Sequence, residues 1–312
     1  MFAVLADVLL PIIVVVGVGY GLRRRMPLDL STINRLAMYG LSPALIFVSL
    51  VRADISGAAA AQMIVLSVTL LILLSVITIA IALPLGVRGA SLSALLLTCL
   101  FMNSGNFGLP LARFALGDQG FQRAILFFIP QSIMAQTIGV GVAAAASTGA
   151  TGLLAQGRVV VLRVLRMPQI YAVSAALAVR ASGLPLATIG GVGGGLFRGL
   201  ALLADAALPL LLLVLGMQLA QRGTIEQPRL TALAVTMRLI VSPLLAVGLA
   251  LALGMGALDL KAAVLQAAMP TAVNTTVLAI EFNARAPFVV GAVIVSSFGS
   301  LITLACILTL MR

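Results

Sequence analysis

Apolar runs of about 17 to 27 residues recur along almost the whole chain, and no other feature restricts its fold so tightly. In helical form such a run spans about 30 Å of hydrocarbon. Ten windows of this kind can be drawn, near residues 2–22, 31–52, 58–83, 91–116, 120–147, 167–183, 196–220, 231–255, 260–282 and 286–311. Lipid offers the backbone no hydrogen-bond partners, so each window must satisfy its own N–H and C=O groups as a helix. Composition agrees: 62% of the residues are hydrophobic, 9% are charged and the mean hydropathy is +1.23, outside the range of soluble domains. The expectation is an all-α polytopic membrane protein.

The first window becomes apolar at Phe2 and ends in Arg23, Arg24 and Arg25, not at a small-residue cleavage site, so it is expected to be retained. The net charge of +11 does not point to nucleic acid, because the arginines lie between apolar windows and not along one face with interleaved aromatics. They report topology. With the N-terminus outside, 12 of the 19 basic residues fall on inward loops and helix ends: Arg23, Arg24, Arg25, Arg35, Arg88, Arg158, Arg163, Arg166, Arg222, Arg229, Arg238 and Arg285. The positive-inside rule therefore places both termini outside the cytoplasm, and a bacterial inner membrane is the expected location. Cys99 and Cys306 both fall within windows, give no disulfide framework, and are expected to be buried and reduced. The chain has no histidine. That removes the usual proton shuttle together with histidine-based triads and zinc sites, and implies neither cofactor nor metal.

The windows divide into two sets of five, residues 1–147 and 167–312, joined by a short basic connection over 148–166 that is expected to be cytoplasmic. Asn106 recurs as Asn274, Phe114 as Phe282 and Pro43 as Pro209, at spacings of 166 to 168 residues. Five is odd, so a second copy enters the membrane upside down relative to the first. The expected architecture is ten transmembrane helices in two inverted repeats.

Two of the windows are poor helices. In FMNSGNFGLPLARFALG (101–117), Gly105, Gly108 and Pro110 are expected to break or thin the fourth helix near mid-membrane, and in QAAMPTAVNTTVLA (266–279) Pro270 is expected to do the same to the ninth. Irregular backbone at that depth is tolerated only where it is buried in protein or lines a wet cavity, so the two breaks should meet. Half-helix N-termini there present partial positive charge. The amides of Asn103, Asn106 and Asn274, with Thr275 beside them, can donate to a carboxylate. The alternative is that the asparagines only join helices and the prolines only kink them. On the first reading Pro270→Ala should let the ninth helix close, raising stability while weakening binding.

FMNSGNFGLPL, LQAAMPTAVNTTVLAIEFN, STINRLAMYGLSPALIF and TMRLIVSPLLA resemble, in order, helices of the auxin efflux carrier family. That family includes plant PIN-formed auxin exporters and bacterial members labelled malonate or organic-acid permeases. The similarity runs along essentially the whole chain. It implies crossed broken helices 4 and 9, an elevator-type core moving against a scaffold, a homodimer formed through that scaffold, and a small organic anion as substrate. Asn103 matches an asparagine of the plant crossover motif and Pro270 its second proline. The chain departs from the plant pattern at Met102 and Thr275, where plant carriers have prolines, and it lacks their long cytoplasmic loop.

Gln131 and Gln136 flank the fifth window's centre and either face the site or bond neighbouring helices. Asp205, in the seventh window, is a candidate proton carrier, as intramembrane carboxylates are; Asp7 lies nearer the surface. Glu281 and Arg285 are one turn apart at a helix end. The run GGVGGG (190–195) lacks phosphate-loop spacing and reads as a flexible connection. Eight scattered acidic residues without histidine provide no enzyme constellation, and polar groups concentrated at two breaks do not make a continuous pore. A secondary transporter remains. The alternative carrier is a sodium-coupled organic-anion symporter of the bile-acid type, disfavoured because no acidic residue lies beside either break.

Overall fold

The structure is a computed structural model that describes residues 5–146, 162, 164–186, 190–221 and 225–311. The expected 148–166 connection lies largely outside the described residues, as do Arg158, Arg163, Arg222 and Arg312. In chain order the helices are α1 (Ala6–Arg25), α2 (Leu30–Arg52), α3 (Gly57–Ala82), α4 (Gly89–Leu100), α5 (Ser104–Ala144), α6 (Pro168–Ser182), α7 (Gly191–Leu219), α8 (Pro228–Ala252), α9 (Ala257–Ala267), α10 (Asn274–Glu281) and α11 (Ala286–Leu310). Among the described residues there is no strand, only one isolated bridge pair. Seven of the helices (α1, α2, α3, α5, α7, α8 and α11) are long and apolar enough to cross a membrane.

Local chemistry sets the boundaries. Asp29 starts α2 by accepting from the N–H groups of Ser31 (3.0 Å) and Thr32 (3.3 Å), and Ser56 starts α3 by accepting from Ala59 N–H (3.2 Å). The 41 residues of α5 are too many for one crossing, since a straight helix of that length would run about 62 Å, twice the hydrocarbon thickness. It turns at Gly117, whose φ of 65° and ψ of −164° suit only glycine. The glycines at 191–195 are not a connection but the first turns of α7, with Gly190 as its cap. Each costs about 1 kcal/mol in helical propensity. Packing of Phe197 on Phe47 of α2, with ring centroids 6.4 Å apart, opposes that cost.

The helices pack as two groups. In the first, α7 lies against α1 and α2, and α6 against α2. Here Gly19 and Gly216 allow α1 and α7 to approach backbone to backbone: a Cβ on Gly216 would stand 1.9 Å from the Val16 carbonyl oxygen, and one on Gly19 2.2 Å from that of Leu213. The second group comprises α3, α4, α5, α8, α9, α10 and α11. Its ties include Gln62 Nε2 donating to Leu253 O (2.8 Å) and the half-buried ion pair of Arg123 with Asp259 (2.6 Å).

Within the second group, two helical interruptions meet. Phe101, Met102 and Asn103 separate α4 from α5, and residues 268–273 separate α9 from α10. Met102 and Thr271 form an antiparallel bridge, flanked by Asn103 N–H to Pro270 O and Ala272 N–H to Phe101 O, both 2.8 Å. The freed carbonyls of both helix ends are taken up by side chains. Arg238, wholly buried in α8, donates from Nη1 to Cys99 O (2.7 Å), from Nη2 to Ala267 O (2.7 Å) and from Nε to Met269 O (3.2 Å). Ser242 also donates to Ala267 O (2.8 Å), and Thr271 Oγ1 to Thr98 O (2.9 Å).

Three expectations need correction. Gly105, Gly108 and Pro110 do not break the fourth window. The break lies upstream at 101–103, Gly105 and Gly108 belong to a π-helical first turn (Ser104–Gly108), and Pro110 sits in the first α turn, where a missing N–H leaves no bond unmade. Arg238 is not an inward helix end but, among the described residues, the most deeply buried cation. Of the two thiols only Cys99 is buried; Cys306 lies on the exposed face of α11.

Gly216→Ala should lower stability by about 1–3 kcal/mol, because α1 and α7 must separate. Gly248→Ala, where an added Cβ meets nothing within 4 Å, should be neutral or slightly stabilising. Melting curves of both variants in one detergent compare them directly. Pro270→Ala should be destabilising, the reverse of the expectation from sequence. Closing the helix there would strip Arg238, Ser242 and Asn103 of their acceptors, and if it stays open the new buried N–H has no partner, at about 1–3 kcal/mol. A higher melting temperature for Pro270→Ala would show that the break is held by the proline alone.

Candidate functional site

A cavity of about 550 Å³ lies on the seam between the two helix groups, a size suited to a small-molecule ligand. Its floor is the meeting point of the two interruptions, where Phe101, Met102, Asn103, Ser104 and Thr275 are all buried. Its walls come from α2, α5, α6 and α7. Arg35, Gln221 and Glu281, all exposed, stand at its mouth. That mouth lies at the ends of the helices adjoining the α1–α2 turn, the start of α6 and the end of α7.

All six residues singled out from sequence as ligand contacts, Asn103, Asn106, Gln131, Gln136, Asn274 and Thr275, line this one cavity. Their states differ. Asn103 is 5% exposed and its Nδ2 has no partner, while its backbone N–H and C=O hold the Pro270 carbonyl and the π turn. Asn274 is exposed to the cavity as the first residue of α10. Thr275 Oγ1 is already committed to Ala272 O at 2.6 Å. Gln131 does two things at once: Nε2 donates to Ser67 O of α3 (3.2 Å), and Oε1 is buried without a partner. Its Nε2 end thus bonds a neighbouring helix, one of the two alternatives raised from sequence, while the residue as a whole borders the cavity.

The supporting residues have distinct reasons. Gly105 borders the cavity and faces the Phe128 ring, which a Cβ would meet at 3.0 Å. Gly108 leaves room for the buried amide of Gln266, 2.4 Å from where its Cβ would be. Pro110 is buried behind the π turn, and Pro270 presents its carbonyl to Asn103. Asp205 is elsewhere, on the exposed face of α7 and outside the cavity lining.

Sequence reasoning missed the amides contributed by the opposite group. Asn106 Nδ2 lies 3.4 Å from Gln218 Oε1 of α7, which crosses the seam, and Gln218 Nε2 lies 3.5 Å from Asn34 Oδ1 of α2 within the first group. Ser132 Oγ donates to Gln169 Oε1 of α6 at 2.9 Å. Gln169 and Gln218 are lone amides near the ends of otherwise apolar windows, and their rarity at that depth was the available signal.

Electrostatically, the site is built from dipoles. The N-terminal ends of α5 and α10 are at the floor, each carrying roughly half a positive charge, and no carboxylate lines the buried part. Neutral donors and positive helix ends can hold an anion. No group of three or more His, Cys, Asp or Glu residues fit to ligate a metal occurs among the described residues.

Comparison with known proteins agrees with a transport role. A family model described as membrane transport protein matches residues 4–308. The chain is also 29% identical over 304 residues to an uncharacterized transporter of Methanothermobacter thermautotrophicus, covering 96% of this chain and 95% of that protein. The chain belongs to this membrane transport protein family, the auxin efflux carrier family.

Proposed function

We propose that this chain is a secondary transporter for a small organic anion, a mono- or dicarboxylate, which binds on the floor formed by the two interruptions. The observation that carries the reading is the Asn103 amide: a buried donor, unpartnered, on the floor of a cavity between the N-terminal ends of two helices. An unmatched buried donor costs about 1–3 kcal/mol, which a ligand acceptor recovers. Ser104 Oγ, also buried and unpartnered, supplies a second donor, and Gln131 Oε1 an acceptor. The floor therefore suits a carboxylate that carries an N–H or O–H group nearby.

On this reading the ten sequence windows are ten membrane crossings. α4 with the first part of α5, up to Gly117, makes the fourth, and α9 with α10 the ninth. The two five-helix halves, 1–147 and 167–312, are inverted repeats, and the interrupted helices are their crossed pair. The group containing α3 and α4 is the moving core of an elevator; the group containing α1 and α7 is the scaffold and, by family resemblance, the homodimer contact. The arginine distribution places the cavity mouth, beside the α1–α2 turn, on the cytoplasmic side. Asp205 has no part in the binding site.

Uptake of labelled mono- and dicarboxylates into proteoliposomes, with pH and sodium gradients imposed separately, tests the function. Saturable uptake with counterflow is expected. Asn103→Ala and Asn274→Ala should each reduce it roughly tenfold or more at normal expression, the scale of a hydrogen bond to a charged group. Asp205→Asn should transport normally. Full transport by Asn103→Ala would remove the proposed binding contact.

A further inference from the structure

Arg238 has no carboxylate partner. The ion pairs of Arg113 with Asp118 and of Arg123 with Asp259 do not involve it, and its hydrogen bonds among the described residues go to backbone carbonyls, Ser242 and Met102. A lone guanidinium buried at mid-span is costly unless something of opposite sign surrounds it. What surrounds it is the C-terminal end of α4, through Cys99 O, the C-terminal end of α9, through Ala267 O, and the unwound carbonyl of Met269. Each helix end carries roughly half a negative charge, so the two together roughly balance one guanidinium. Ser242 Oγ completes the shell, and the sulfur of Met102, a floor residue of the cavity, lies 3.9 Å from Nη2.

A nest of half-helix C-termini and unwound carbonyls is also how membrane transporters hold a coupling cation. Here a side chain fills the nest. We propose that Arg238 is a tethered cation in the place a free coupling cation would take, so that substrate binding needs no sodium. By cancelling the two negative helix ends behind the floor, it leaves the positive ends of α5 and α10 to set the sign of the field in the cavity. Arg238 is thus a positioning residue for anion selectivity, one layer behind the ligand. The assignment rests on the organic-anion reading for its consequence, but not for the occupancy of the nest.

The test uses purified full-length protein in detergent, in sodium, potassium or N-methylglucamine chloride at equal ionic strength. Melting temperature without ligand and affinity for the carboxylate panel are both measured. For the wild type, the melting temperature should not depend on the salt and affinity should change by no more than about twofold, well short of the roughly thirtyfold that one helix-end charge interaction is worth at its upper range. A saturable rise in melting temperature with sodium, or sodium-dependent binding, overturns the proposal. Arg238→Ala should melt lower, bind carboxylate about tenfold more weakly or worse, and recover in part with millimolar guanidinium but not with N-methylglucamine. Unchanged binding by Arg238→Ala in every salt also overturns it. Should that variant fail to fold, Arg238→Lys keeps the charge and loses the fork: weakened, sodium-independent binding is expected, and wild-type affinity would overturn the role given to the guanidinium. If the wild type binds no carboxylate in any salt, the organic-anion reading falls, while the ligand-free melting temperatures still decide whether the nest takes a free cation.

Discussion

One guanidinium makes the interrupted helices possible. Where α4 and α9 stop inside the membrane, their last carbonyls have neither the next turn nor water to accept from, and each one left bare costs several kcal/mol. Arg238 reaches both ends at once because its fork has donors pointing in different directions, a geometry that a lysine amine lacks. The remaining carbonyls are divided among Ser242, Thr271 and the bridge between Met102 and Thr271. With that set of bonds in place the chain restarts as α5 and α10 at one level, and the cavity floor follows from that restart.

The two helix groups are held together differently from within and across. Inside the first group, Gly19 and Gly216 bring backbones into direct contact, a fit that admits no sliding. Inside the second, buried bonds such as those of Arg238 and Gln131 join elements far apart in sequence. Across the seam stand an amide contact of 3.4 Å and a hydroxyl contact of 2.9 Å, the longer of which lies near the outer limit of hydrogen bonding. Rigid groups joined by exchangeable amide contacts are what the proposed elevator movement requires, since amides can trade one partner for another at little cost.

The seven long apolar helices were legible in the sequence because hydrocarbon leaves so few alternatives: apart from α5, which covers parts of the fourth and fifth windows, each begins and ends within about five residues of a window edge. The cavity lining was legible for a similar reason, since Asn103, Asn106, Asn274 and Thr275 are expensive at that depth without a purpose. The exact position of the first break was not. Glycine and proline were read as causes, whereas Gly108 answers to the Gln266 side chain and Pro110 to the start of a helix, relations set by parts of the fold distant in sequence. Arg238 was passed over because it was counted with the loop arginines, although it stands well inside the 231–255 window. Its depth alone marked it as something other than a topology signal. Gln218 carried a signal in its depth, but its partner Asn106 lies in the other group of helices, a relation that sequence alone does not show.

For the proposed elevator, a floor of neutral amides has a further consequence, because its site would face the two sides of the membrane in turn. Ionised side chains would have to be desolvated or paired again each time the site passed through hydrocarbon, at several kcal/mol per charge. Asn103, Asn106, Gln131 and Asn274 carry no formal charge, and the positive potential at the floor comes from helix ends that move with it. The compensating guanidinium is sealed behind Met102 and wholly buried, so its surroundings are set by α4, α8 and α9 and not by which side the cavity faces. On the proposed reading, a chain with 9% charged residues and no histidine holds its anion without placing any ionised side chain on the buried floor. The charged residues that do line the cavity, Arg35 and Glu281, stay at its mouth, where water reaches them.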